Sequence, residues 1–149
     1  VNVPGLVGSY ERSDNDKVMK LTISSINNFK YRLVEQTNND PSVTYDVTTC
    51  RVGRRLIAEN FLDDDKLYSV KEIVKVDGSG LQVGLPIFND RELRRRGISS
   101  KLKKLRPGSD IYYLDNRTVT PEVALVVAPN RIDGDDQSIP TVLTYVRKR

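Results

Sequence analysis

The sequence predicts a mostly β, single-domain protein whose antiparallel meander closes toward a barrel. Three observations carry this. Apolar residues recur with a period of two through the first 87 positions, the mark of half-buried strands. Short clusters of Asn, Asp, Gly and Pro separate these runs, supplying turns rather than long crossovers. The 149 residues suffice for one real core.

Taken in order, residues 1–7 read as a flexible arm with a turn at Pro4-Gly5. Gly8-Ser9-Tyr10-Glu11 begins the fold, and residues 13–16, Ser-Asp-Asn-Asp, make a turn. Met19, Leu21 and Ile23 share one strand face, and Phe29, Tyr31 and Leu33 the inward face of the next, which gives a hairpin. Val43, Tyr45 and Val47 form a third strand. Its phase then shifts to Cys50 and Val52, as a β-bulge would require. Strands follow over 55–62 and 68–76, joined by the acidic turn Asp63-Asp64-Asp65. Asp77-Gly78-Ser79-Gly80 is a hairpin turn into a sixth strand with Leu81, Val83, Leu85 and Ile87.

The C-terminal third is mixed, with short helices expected. Asp90 caps a short helix to Arg96, ended by Gly97. A second helical turn begins at Ser99 or Ser100 and stops at Pro107. Residues 111–114 read as a short strand. Thr120-Pro121-Glu122 has a cap, a first-turn proline and a first-turn acid, so it starts a helix over 123–128. A last strand over 141–147 is placed to pair with the first.

Composition removes several chemistries. There is no histidine, which excludes Ser-His-Asp and Cys-His mechanisms. One cysteine, Cys50, allows no internal disulfide and, without histidine, no zinc site of the usual kind. Cys50 is expected to be a small buried hydrophobe. No apolar run approaches the roughly 18–20 residues that span a bilayer as a helix. Ser100-Lys101-Leu102-Lys103 has Ser-x-x-Lys spacing without its companion motifs. Asp63 to Asp65 and Asp133, Asp135 and Asp136 lack the distant bidentate Glu of a calcium loop. The expectation is a non-enzymatic protein with no cofactor and no metal.

Charge is concentrated. Between positions 91 and 106 lie Arg91, Arg94, Arg95, Arg96, Lys101, Lys103, Lys104 and Arg106 against one glutamate, a net of +7. The whole chain carries +4, so the remainder is −3. These eight cations are candidates for an anionic membrane or polymer, or for a protein partner. The bland alternative is a solvated basic face, helical over 90–107, draped across one barrel end. Nucleic acid ranks below a membrane or polymer, because the run contains no aromatic residue to stack on bases. A separate candidate is a cavity lined by Tyr10, Tyr31, Tyr45 and Tyr145 for an amphipathic ligand, set against simple packing of those rings.

Gly8-Ser9-Tyr10, the hairpin with Phe29 and Tyr31, Phe61-Leu62-Asp63 after the 50–58 hairpin, and Thr120-Pro121-Glu122 before a final strand together resemble small bacterial cell-envelope lipoproteins. That resemblance implies a lipocalin-like β-fold, a cell-envelope location and a tether upstream of Val1. Gly8-Ser9-Tyr10 also looks like the lipocalin Gly-x-Trp, with Tyr10 in place of Trp and Arg147 where a lipocalin arginine packs on that ring. The expected role is structural, or binding toward an anionic surface, a protein or a small amphipathic ligand. The alternative is an intracellular nucleic-acid-binding module using 91–106.

Overall fold

The computed structural model describes residues 1–62, 67–84, 95, 102–104, 111–114 and 142–148. They contain β1 (Gly8–Asp14), β2 (Lys17–Ser25), β3 (Lys30–Thr37), β4 (Val43–Val52), β5 (Arg55–Leu62), β6 (Leu67–Val76), β7 (Gly80–Gly84), β8 (Leu102–Lys104), β9 (Ile111–Leu114) and β10 (Val142–Lys148). The strands run in the order β5-β4-β3-β2-β1-β10-β7-β6, and β6 pairs back onto β5. The result is a closed, antiparallel eight-stranded barrel, with β9 and β8 added beside the start of β6. The expected meander and the expected pairing of the last strand with the first are both present (Tyr10 opposite Arg147).

Period-two patterning sets the inside of the barrel. Tyr10 of β1, Leu21 and Ile23 of β2, Tyr31 of β3 and Val47 of β4 are buried, as are Leu81 and Val83 of β7 and Tyr145 of β10. They form one core. Each such side chain contributes roughly 1.5–3 kcal/mol on burial.

The two barrel ends differ. The β2–β3, β4–β5 and β6–β7 turns lie at one end, together with the start of β1 and the finish of β10. The first seven residues close this end. Val3 and Leu6 are buried in the core. The Val3 amide donates to Tyr31 Oη at 2.9 Å, and Tyr10 Oη donates to the Leu6 carbonyl at 2.7 Å. The segment read as a flexible arm is therefore tied to the barrel by packing and by buried hydrogen bonds. The opposite end, the mouth, carries the β1–β2 and β3–β4 turns. Asn15 and Asn38 adopt positive φ of 52° and 51° there, a conformation that asparagine tolerates in turns.

Several local expectations need correction. β4 has no bulge, because its register with β3 and β5 runs unbroken. The apparent phase shift arises because Thr49 faces inward and is 2% exposed, while Cys50 faces outward and is half-buried. Thr49 is satisfied there: its hydroxyl donates to the carbonyls of Val1 and Phe29. The register irregularity lies in β6, between Ile73 and Lys75. Phe29 precedes β3 and is 49% exposed. Residues 102–104, expected in a helical turn, form β8 paired with β9, since a strand partner satisfies their backbone. Leu85, Ile87 and, apart from Arg95, the helices expected over 90–96 and 123–128 lie outside the described residues.

A cavity in the mouth half of the barrel

Eight strands leave room for side chains or for one small ligand. Here the interior is filled unevenly. Toward the arm end, the Tyr10 and Tyr31 rings and the arm occupy the lumen. Toward the mouth the inward positions include the small Ala58 and Ser69, and a cavity of about 60 Å³ remains. A single water needs roughly 10–15 Å³, so the space is larger than a single-water void.

The walls are apolar. Leu21, Ile23, Leu33, Val47, Ile73, Leu81 and Val83 surround the space, and Leu6 of the arm reaches it from the closed end. Polar side chains join from β3 to β6: Glu35, Tyr45, Asn60, Ser69 and Lys71. Tyr45 Oη donates to Glu35 Oε1, which holds the carboxylate against the wall. Asn60 and Ser69 stand opposite each other in the β5–β6 register. On β1, across the barrel from β5, the Arg12 guanidinium lies 5.6 Å from the Tyr145 ring centre and meets Met19 Sδ. Arg12 Nε is buried with no hydrogen-bond partner among the described residues.

The sequence-derived candidates separate. Tyr45 and Tyr145 line the cavity. Tyr10 and Tyr31 lie in the packed core below it, with hydroxyls engaged by the arm. Burial raises the Tyr10 pKa, against the opposing influence of Arg147. Glu35, Asn60, Ser69 and Lys71 were not anticipated. Their signal is positional: each occupies an inward step of its strand, and an apolar-only reading of the alternation passes over polar residues there. Of the basic candidates, Arg95 is exposed and Lys103 and Lys104 lie in β8. Arg91, Arg94, Arg96, Lys101 and Arg106, and the acidic turns 63–65 and 133–136, are outside the described residues.

Arg147 packs over the Tyr10 ring, 4.8 Å from its centre, in the manner the lipocalin resemblance implies. The barrel is compatible with a lipocalin-like fold. Among the described residues, no group of three or more potential ligands is placed to hold a metal ion, and no helix is long and apolar enough to cross a membrane. No family model, curated protein or solved structure matches the chain.

Proposed function

We propose that this is a non-enzymatic binding protein of the bacterial cell envelope whose barrel takes a small amphipathic ligand. The cavity supports the binding reading: a largely apolar space with Glu35, Tyr45, Asn60, Ser69 and Lys71 on its wall. Apolar walls with a few fixed polar groups are the usual build of a small-molecule site. The envelope reading rests on the sequence resemblance, together with a barrel compatible with it. An alkyl chain lies along Leu33, Val47 and Ile73, and its polar head stays near Lys71 and Tyr45.

The test is displacement of a fluorescent fatty-acid analogue from the purified protein, with native mass spectrometry of the same sample. Saturable binding of one probe per chain, reduced in Ala58→Phe, is the expected result. Absence of probe binding at millimolar concentration, with no co-purifying ligand in the mass spectrum, would remove the cavity reading.

A further inference from the structure

The closed end of the barrel has a character of its own. Six large apolar side chains are exposed among the described residues, and four of them, Val1, Val7, Ile26 and Phe29, belong to the arm or to the β2–β3 turn. Single exposed apolar residues are ordinary, but clustering is not. Backbone hydrogen bonds draw three of the four together. The Val1 nitrogen donates to the Thr49 carbonyl at 2.7 Å. The Thr49 amide donates to the Phe29 carbonyl at 2.8 Å, and the Ile26 amide to the Lys30 carbonyl at 2.9 Å.

Charge at this end favours one sign. Arg51, Arg54 and Lys148 are exposed on the strand ends and the turn that bound it. Across residues 1–7, 26–29, 53–54 and 77–79 the one acid is Asp77, and Lys75 sits 3.4 Å from its carboxylate. The mouth is different, with Asp14, Asp16 and Asp40 on its turns. Four apolar side chains fall well short of the roughly 800 Å² per partner that a stable protein interface buries. They do fit shallow insertion into lipid, where apolar contact and cation attraction add, each basic residue near anionic headgroups contributing about 1 kcal/mol.

We propose that the closed end docks on an anionic phospholipid bilayer, with Phe29 and Ile26 entering the interface and Arg51, Arg54 and Lys148 facing the headgroups. This surface is distinct from the cavity and does not depend on ligand binding.

The chain has no tryptophan, so a single introduced indole reports its own surroundings. Phe29→Trp, mixed with vesicles of phosphatidylglycerol and phosphatidylcholine, is expected to shift its emission to the blue and to be quenched by brominated lipid. Val43→Trp, which places the indole at the mouth, is expected to show neither. Pure phosphatidylcholine vesicles, or raised salt, should weaken the Phe29→Trp response. The doubly substituted Ile26→Asp, Phe29→Asp protein should partition at least about tenfold more weakly, with an unchanged far-ultraviolet spectrum confirming its fold. An unshifted Phe29→Trp spectrum overturns the proposal. So does an equal response at Val43→Trp, or full vesicle binding by the double variant, since either result would place the contact elsewhere, such as on 91–106.

Discussion

The Arg147 guanidinium donates from Nη2 to Tyr10 Oη at 2.8 Å while lying over the same ring. Arg147 also donates to the carbonyls of Gly5, Val7 and Asp77. One side chain on the last strand thus joins the first strand, the arm and the β6–β7 turn.

Arg147→Ala is expected to destabilise the barrel by about 2–4 kcal/mol, from the lost cation–π contact and the lost hydrogen bonds to Tyr10, Gly5, Val7 and Asp77. At this chain length, thermal unfolding should fall by roughly 5–12 °C. Arg147→Lys should recover only part, because an ammonium cannot reproduce the planar fork that reaches several carbonyls at once. Differential scanning calorimetry of the three proteins checks the order.

Gly80 is expected to reject any side chain. A Cβ there would stand 2.1 Å from the Tyr145 carbonyl oxygen, a backbone atom in the β7–β10 ladder. Gly80→Ala must push the two strands apart and should cost on the order of 1–3 kcal/mol or more. Chemical denaturation measures this. Gly78→Ala, where no atom lies within 4 Å of the added carbon, is the matched control.

Leu6→Ala is expected to lengthen the cavity toward the closed end, because Leu6 borders it from the arm. The substitution should cost about 2–5 kcal/mol. In the fatty-acid displacement assay it should move the preferred chain toward longer homologues. Wild-type binding with no change of preference in the variant would show that Leu6 does not limit ligand length.

Cys50 is expected to alkylate slowly. Burial and the neighbouring Glu59 carboxylate push its thiol up to about 11. Little thiolate therefore exists near neutral pH, and iodoacetamide should react appreciably faster only as pH approaches that value. Glu59→Gln should bring the inflection down. The folded state holds this proton more tightly than the unfolded chain. Its share of stability is thus complete below the ordinary thiol pKa and fades as pH rises toward 11.

The barrel was legible in the sequence because most inward positions are apolar and most turns are rich in Asn, Asp and Gly. The reading failed where a polar residue took an inward step. Thr49 looked like a break in phase, yet it points into the lumen because the arm and the Phe29 carbonyl satisfy its hydroxyl. Lys71 escaped notice for the same reason: its neighbours Val70 and Glu72 are the more deeply buried pair, on the outer face of β6. Phe29 was drawn inward by its hydrophobicity, whereas the Ile26–Lys30 turn geometry places it before the strand. The cavity itself has no local code. It arises from the side chains that the closed wall gathers around Ala58 and Ser69, which range from Leu6 to Tyr145.

Among the described residues, β10 lies between β1 and β7, and its two seams are the sequentially remote pairings of the eight-stranded wall. Closing it demands the largest loss of chain entropy, so barrel assembly should be slow and late. Until that strand arrives, β1 and β7 present bare edges to any neighbouring chain. A nascent or partly unfolded molecule is therefore most exposed to strand exchange at the seam that Arg147 later locks.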